Sequence, residues 1–181
     1  PWGGERPAGF NYTDILPHLL ADAGTSYDLP GVCSEYYDYY MNRATTKSGC
    51  IALTVTGELE PLAAIVKEIE TKYPGKTYDR ASLQTYEGLD EHVFYDLQGY
   101  IEAICDEKDP LLDKFRAQMG KAFPTESRLH TPSFYSVYGL GDAPNGMHTI
   151  EDGKYSGVTT SAPCERFAPE WAQTSWYRAT H

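Results

Sequence analysis

Four cysteines are the most reactive side chains of this sequence. Cys33, Cys50, Cys105 and Cys164 lie far apart, with no Cys-x-x-Cys pair and no histidine at the spacing of a zinc site. Cys50 and Cys105 lie within apolar runs, where a thiol usually serves as a small buried hydrophobe. The sequence therefore predicts no metal centre at the cysteines, and their spacing leaves the disulfide state open.

Five histidines could accept protons, but they are scattered and no two share a short motif: His18, His92, His130, His148 and His181. Chain order alone would allow a dyad of His148 with Cys164, because the two residues flank the last predicted strand. Such a dyad needs a group that activates the thiol and another that orients the imidazole, and the sequence shows neither. Taken singly, these residues do not indicate a particular reaction.

Acidic residues near the start of the chain could offer oxygen ligands to a cation. Asp28, Glu35 and Asp38 are the candidates, although they lack the regular spacing of a calcium-binding loop. The sequence therefore predicts no cofactor, and calcium stays an option that no motif supports.

The net charge limits the partners of the protein. The 181 residues include 15 lysines and arginines and 26 aspartates and glutamates, which gives a net charge of −11. A chain this acidic repels phosphate backbones and anionic membrane surfaces unless its basic residues cluster, and they do not. No apolar segment approaches the roughly 20 residues that span a bilayer. The composition argues against a nucleic-acid partner and against a membrane span.

Hydrophobic spacing predicts helices separated by short apolar strands. Thr13 is expected to cap a first helix that continues to Leu20, and residues 28–31 are expected to form a turn. Further helices are predicted at 31–43, from Pro61 to a stop at 73–75, and at 94–105, 111–123 and 167–178. The predicted strands are 51–55, 133–138 and 155–161.

This order of elements is typical of a layered α/β domain. The three predicted strands are expected to lie in one buried sheet with helices on both faces, because their apolar runs are too continuous for a one-sided sheet. Three strands are too few to cover these helices. Residues 1–181 are therefore interpreted as a single incomplete α/β domain, the C-terminal half of a larger one, with a sheet edge and an apolar strip left for an upstream segment.

Several short motifs follow one another along almost the whole chain. Residues 9–16 (GFNYTDIL) come after a loop rich in glycine and proline, and a tyrosine-rich stretch at 36–40 precedes the strand motif 48–55 (SGCIALTV). The motifs 62–66, 94–101 (FYDLQGYI), 155–163 (YSGVTTSAP) and 176–180 (WYRAT) follow in that order. The series resembles the clostripain-like cysteine peptidases, in which the first motif has the form Gly-aromatic-x-Tyr-x-x-Ile-Leu.

The resemblance implies a caspase-like α/β/α sandwich and an endopeptidase that cleaves after arginine or lysine with a Cys–His dyad. In that family the dyad lies upstream of the motif at 9–16, so no catalytic residue is expected in this chain. The partners implied are the upstream light chain, or catalytic segment, of the same autoprocessed precursor and a peptide or protein substrate. A secreted or bacterial cell-envelope location is implied as well.

The substrate-facing surface is predicted on the loop at 1–12, because glycine-rich backbone can approach a peptide closely. The candidate substrate-binding residues are Trp2, Glu5, Gly9, Phe10 and Tyr12. Trp2 and Phe10 are candidate walls, and Glu5 is the candidate partner of a basic side chain. Some family members carry an acid just before the glycine of this motif, where the present chain has Ala8. The alternative interpretation is that Phe10 only seats the following helix and that Glu5 is a solvated loop charge.

Two function classes follow from these observations. The first is a cysteine endopeptidase fragment that acts once combined with the upstream chain. The second is a noncatalytic α/β interaction domain that binds protein or glycan through a tyrosine-rich surface, since the chain holds 15 tyrosines.

Overall fold

The computed structural model describes residues 12–20, 27–44, 47–87, 89, 91–135 and 147–181. Its α-helices in these ranges are α1 (Tyr12–Leu19), α2 (Leu29–Asp38), α3 (Leu59–Lys72), α4 (Leu97–Ile104), α5 (Pro110–Ala122), α6 (Ala168–Trp171) and α7 (Ser175–Thr180). A π-helical stretch, Tyr39–Arg43, continues α2, and 3₁₀ turns lie at Thr56–Glu58, Arg80–Ser82 and Thr125–Ser127. None of the helices in the described ranges is both long and apolar enough to cross a membrane.

The strands are short and pair two by two, always antiparallel. They are β1 (Cys50–Ile51) with β3 (Leu129–His130), β2 (Tyr95–Asp96) with β6 (Thr159–Thr160), and β4 (Ser133–Tyr135) with β5 (Met147–Thr149). The fold is therefore a mixed α/β fold, as predicted. The prediction that the segments 51–55, 133–138 and 155–161 share one sheet is wrong for the described residues, since each of them pairs with a different partner.

The predicted strands are also too long, and the reason lies in tertiary contacts. Of the first predicted strand, 51–55, only Ile51 pairs. It does so together with Cys50, opposite the two residues of β3. The segment 155–161 pairs only at Thr159–Thr160, since Gly157 turns the backbone with a φ of 83°. Residues 136–138 of the remaining prediction lie outside the described residues.

Capping side chains shift two helix boundaries from their predicted places. Asp28, expected in a turn, begins α2, because its carboxylate accepts a hydrogen bond from the Gly31 N–H at 2.9 Å. The predicted helix 94–105 begins late, since Asp96 first pairs in β2 and then caps α4 through the Gly99 N–H at 2.8 Å. The predicted tail helix is two short helices, α6 and α7.

The main hydrophobic core lies between α3, α4 and α5, whose predicted apolar spacing the structure confirms. Its fully buried members share the inner faces of these helices: Leu62, Val66, Ile69, Leu97, Ile101, Ile104, Leu112, Phe115 and Met119. Burying one such side chain contributes roughly 1.5–3 kcal/mol to stability. Trp176 of α7 packs against this cluster from the C-terminal side.

Asp109 joins the end of α3 to the start of α5. Its carboxylate accepts hydrogen bonds from the Lys72 ammonium at 2.5 Å and from the Tyr73 hydroxyl at 2.5 Å, and it caps α5 through the Leu111 N–H at 3.0 Å. The Lys72 hydrogen bond, followed by those of Tyr73 and Leu111, holds the pKa of Asp109 well below its usual range.

Arg128 closes the other end of α5. Its half-buried guanidinium donates from Nε to the Phe123 carbonyl at 2.6 Å and from Nη2 to the Met119 carbonyl at 2.7 Å. These two carbonyls lie at the helix end, where the Met119 carbonyl also accepts the Phe123 N–H at 2.8 Å and carbonyls beyond it lack intrahelical donors. The Arg128 stem also lies beside Gly157, so the same side chain fixes the loop before β6.

We expect Gly157→Ala to destabilise the protein much more than Gly153→Ala. Both glycines have a positive φ, 83° and 77°, so alanine costs roughly 1–2 kcal/mol of backbone strain at either position. At Gly157 the new Cβ would lie 2.6 Å from the Cβ of Ala52, whereas at Gly153 it would meet no atom within 4 Å. Urea denaturation should show a further loss of about 1–3 kcal/mol for Gly157→Ala.

Ala52→Gly in the Gly157→Ala background should recover part of that loss, because it removes the opposing methyl group. Equal losses for the two alanine variants would contradict the close contact between Gly157 and Ala52.

We expect Asp109→Asn to make the Tm of the protein less dependent on pH in the acid range. Because the folded pKa of Asp109 is lowered, its contribution is present above the unfolded pKa of roughly 3.9 and is lost as the pH falls below it. The Tm of the parent should therefore drop more steeply than that of the variant between about pH 5 and pH 2. Asp113→Asn, a change of an exposed carboxylate on the same helix, is the control and should keep the parental slope.

Candidate active site

The predicted substrate-facing loop leads into α1. Tyr12 is the first residue of α1 and is 61% exposed, which is compatible with its predicted place beside a peptide. Trp2, Glu5, Gly9 and Phe10 lie outside the described residues, so their assignment stays a prediction. The described residues show how α1 is held in place.

Arg43 is the main polar anchor of α1. Its guanidinium lies 2.6 Å from Asp14 Oδ2 on α1, 3.2 Å from Asp38 Oδ2 and 3.4 Å from Glu35 Oε2 on α2. A guanidinium presents five donors in a rigid fork, so one arginine can serve three carboxylates. Arg43 thus ties the helix after the loop to α2.

The same contacts engage the three carboxylates that are the candidates for a calcium site. Glu35 and Asp38 face Arg43, and Asp28 accepts from His18, so the three carboxylates do not converge on a common point. Across the described ranges, no group of three or more histidine, cysteine, aspartate or glutamate side chains could hold a metal ion.

His18 supplies the second link between α1 and α2. Its Nδ1 lies 2.8 Å from Asp28 Oδ2, and the Asp28 N–H donates to the His18 carbonyl at 3.0 Å. The Gly31 N–H and then His18 lower the pKa of Asp28. A Cβ at Gly31 would overlap both the His18 ring and the Asp28 carboxylate, so the close approach of the two helices requires glycine here.

The tyrosine-rich stretch at 36–40 is largely buried. Tyr36 and Tyr40 are 2% and 0% exposed, and their ring centroids are 4.6 Å apart. Tyr37 and Tyr39 are half-buried. These rings fill the interior between α2, its π-helical continuation and the backbone at Gly49, where a Cβ would lie 2.9 Å from Tyr40. Tyr36 and Tyr40 therefore belong to the interior, and the alternative of a tyrosine-rich binding surface stays a prediction.

The four thiols are free, and three of them lie in surroundings that disfavour the thiolate. Burial raises the pKa of Cys33 and Cys105, and it raises the pKa of Cys50 to about 12. A thiol with a raised pKa is protonated near neutrality, whereas nucleophilic attack needs the thiolate. The prediction that Cys105 is buried is confirmed, whereas Cys50 is only partly buried.

The dyad of His148 with Cys164 is not formed. His148 packs against the Phe134 ring, with the centroids 5.4 Å apart, and its buried Nε2 has no hydrogen-bond partner in the part of the chain that the structure describes. Cys164 instead lines a cleft together with Arg80 and His92.

Asp96 lies at a junction of the fold that the sequence pattern does not predict. The side chain is 1% exposed and accepts hydrogen bonds from the Gly99 N–H, the Ser156 N–H, the Ser156 hydroxyl and the Tyr86 hydroxyl, at 2.7–2.8 Å. Burial raises the pKa of Asp96, and these hydrogen bonds oppose the rise. The carboxylate therefore joins the motifs 94–101 and 155–163, and an aspartate directly before a helix was the signal for it.

No protein-family model matches this sequence, and no curated protein does. Solved structures match it over nearly its full length. A clostripain from Bacteroides thetaiotaomicron ATCC 29148, solved with the peptide inhibitor BTN-VLTK-AOMK, is 30% identical with a TM-score of 0.80, and the match covers 98% of this chain and 73% of that one.

Two further structures agree with this match. A secreted C11 cysteine protease of B. thetaiotaomicron, iotapain, is also 30% identical with a TM-score of 0.80, and the match covers 98% of this chain but 46% of that chain. A B. fragilis cysteine protease, 23% identical with a TM-score of 0.78, shows the same fold over 98% of this chain and 74% of that one.

The class that these matches define is a cysteine protease with a mixed α/β fold. The chain belongs to the clostripain-like, or C11, family of cysteine proteases, as its order of short motifs predicts.

We expect Arg43→Gln to loosen α1 while leaving the helical core intact. The change removes the cation shared by Asp14, Glu35 and Asp38 and leaves three carboxylates that repel one another. Hydrogen–deuterium exchange should accelerate roughly tenfold in α1 and remain unchanged in α3.

Arg116→Gln is the matched control, because Arg116 has the same 43% side-chain exposure but pairs with a single carboxylate, Glu102. Equal effects of the two variants on α1 would show that Arg43 does not anchor it.

Proposed function

We propose that this chain is the C-terminal part of a caspase-like cysteine endopeptidase that cleaves after arginine or lysine once combined with an upstream segment. The observation that carries the proposal is the match of 98% of the chain to the B. thetaiotaomicron clostripain at a TM-score of 0.80. The upstream segment supplies the Cys–His dyad in this proposal.

The thiols of the chain support an upstream origin of the nucleophile. Cys33, Cys50 and Cys105 have raised pKa values, and Cys164 is 3% exposed. A histidine that hydrogen bonds a cysteine would be the sign of a dyad, and the described residues show no such pair.

The outer surface of α1 supports an additional layer of protein. Ile15 is 4% exposed and packs inward, while Leu16, Leu19 and Leu20 on the same segment are 43%, 38% and 71% exposed. A helix with apolar residues on more than one face is typical of a helix buried between two layers. We propose that upstream strands cover this surface and complete the α/β/α sandwich.

Specificity for a basic residue is proposed to reside in the loop at 1–12. Glu5 is the only acid of that loop before Gly9, and a carboxylate in a partly dry pocket selects arginine or lysine through charge-assisted hydrogen bonds. Trp2, Phe10 and Tyr12 would form the walls around the peptide. The inhibitor bound by the B. thetaiotaomicron clostripain carries the peptide VLTK, which ends in lysine and supports a basic preference.

A secreted location is proposed on the same grounds, because iotapain is described as a secreted protease. A place in the bacterial cell envelope is the alternative location.

Intact-mass analysis of the purified protein tests the two-part arrangement. We expect the chain to co-purify with a second polypeptide that contains a cysteine and a histidine, and the mixture to cleave arginine substrates. A single 181-residue species that unfolds cooperatively without a partner would contradict the proposal.

We expect Glu5→Gln in the two-chain form to lower kcat/KM for a substrate with arginine before the scissile bond by roughly tenfold, the scale of one partly desolvated charge pair. A substrate with norleucine at that position should be cleaved at nearly the parental rate, because it presents no charge. An equal effect on both substrates, or none on either, would show that Glu5 is a solvated loop charge and does not bind the basic side chain.

A further inference from the structure

A cleft of about 540 Å³ lies between the 3₁₀ turn at Arg80–Ser82, the start of β2 and the turn at residues 163–166. Its charged lining residues are Arg80, Arg166, Glu91 and Glu165, and His92, Tyr95 and Cys164 lie beside them. Two guanidiniums and a phenol on one cavity form a set of hydrogen-bond donors. Of these residues only Tyr95 belongs to a motif of the family resemblance, the one at 94–101.

Tyr95 is the buried member of this set. It is 3% exposed, it lines the cleft, and its hydroxyl makes no hydrogen bond within the described ranges. Its backbone is fixed by pairing with Thr160. The hydroxyl is therefore free to donate to a molecule that enters the cleft.

His92 is held in one orientation. Glu87, whose side chain is 4% exposed, lies 2.8 Å from His92 Nδ1 and also accepts the N–H groups of Val93 and Phe94, at 2.5 and 2.9 Å. Glu87 engages Nδ1 and leaves Nε2, which is an acceptor when the ring is neutral, so His92 shapes the cleft and is not counted among its donors. Glu87 itself is saturated by these three donors and has little capacity to attract a cation.

The two arginines retain free donors. Arg80 Nη1 donates to the Pro163 carbonyl at 3.2 Å, which fixes the guanidinium, and lies 3.2 Å from Glu165, a side chain that is 87% exposed. An ion pair this exposed contributes roughly 0–1 kcal/mol and is readily exchanged. Arg166 stacks on the Phe167 ring at 5.2 Å and has no carboxylate partner among the described residues.

We propose that this cleft binds the carboxylate of a peptide, with Arg80 and Arg166 as the charged clamp and the Tyr95 hydroxyl as a neutral donor. A guanidinium fork matches the two oxygens of a carboxylate. The two acids of the lining, Glu91 and Glu165, are exposed to solvent, so a basic ligand would find no buried carboxylate among the lining residues and would face both arginines. The inference does not depend on the peptidase activity. The carboxylate can come from an acidic side chain or from a chain end.

Isothermal titration of the whole protein with short peptides tests the proposal. The probes are Ac-Ala-Glu-Ala-NH₂, its glutamine counterpart, and Ac-Ala-Ala-Ala with a free C-terminal carboxylate. We expect at least tenfold tighter binding of one or both carboxylate peptides than of the glutamine peptide, the scale of one charge-assisted clamp. Binding of the glutamate peptide would identify an acidic side chain as the source of the carboxylate, and binding of the free-end peptide would identify a chain end. Equal affinities for glutamate, glutamine and free-end peptides would overturn the proposal.

Substitutions locate the binding. Arg166→Gln should weaken the carboxylate probe about tenfold, and Tyr95→Phe, which removes only the hydroxyl, should weaken it about threefold. Arg116→Gln, an equal loss of charge outside the cleft, should leave the affinity unchanged. Unchanged binding in both cleft variants, with circular dichroism confirming that they are folded, would overturn the proposal.

A gain of affinity provides an independent readout. Glu165→Gln should tighten the carboxylate probe about twofold to threefold, because it removes the internal competitor for Arg80. Glu170→Gln, an exposed acid on α6, makes the same change in net charge and is the control. Equal tightening by both variants would show a general charge effect and would argue against the cleft.

Discussion

The buried carboxylate of Asp96 is the interaction on which the arrangement of this chain most depends. It caps α4, receives the backbone and hydroxyl of Ser156, and holds the Tyr86 hydroxyl. A buried carboxylate is costly unless donors surround it, so these three segments must meet for the fold to be stable. The two-residue ladder of β2 with β6 follows from that meeting, because so short a pairing has little stability of its own.

Two parts of the molecule are held by different forces. Leucine, isoleucine and aromatic side chains of α3, α4 and α5 form a dry core, whereas α1 is attached to α2 largely by Arg43 and by the His18–Asp28 pair. Exposed ion pairs are weaker than hydrophobic burial and are screened by salt. The helix that carries the loop at 1–12 therefore has weaker support within this chain than the core has, which agrees with the proposal that a further layer covers it.

Short motifs identified the family because several of them coincide with tertiary junctions. The motif at 94–101 contains the cap of α4, and the motif at 155–163 contains both Ser156, which binds that cap, and Gly157, whose positive φ and contact with Ala52 exclude a side chain. At each of these positions the structure accepts only one or a few residue types. The motif can therefore be recognised even where the surrounding sequence differs. The intervening helix faces demand only apolar character, which many sequences meet.

The sequence by itself determined the helices of the core and the class of the fold, because apolar residues at helical spacing and the stops around them act locally. Its net charge of −11 argues against a nucleic-acid partner. Only the tertiary structure decided the strands: Cys50–Ile51, Tyr95–Asp96 and Thr159–Thr160 pair because distant segments meet, and no local pattern encodes a two-residue ladder. It likewise decided that Tyr36 and Tyr40 lie inside, that Arg43 collects the acids Glu35 and Asp38, and that Arg80, Tyr95 and Arg166 share one cleft. The reason is that burial and convergence are properties of segments far apart in the chain.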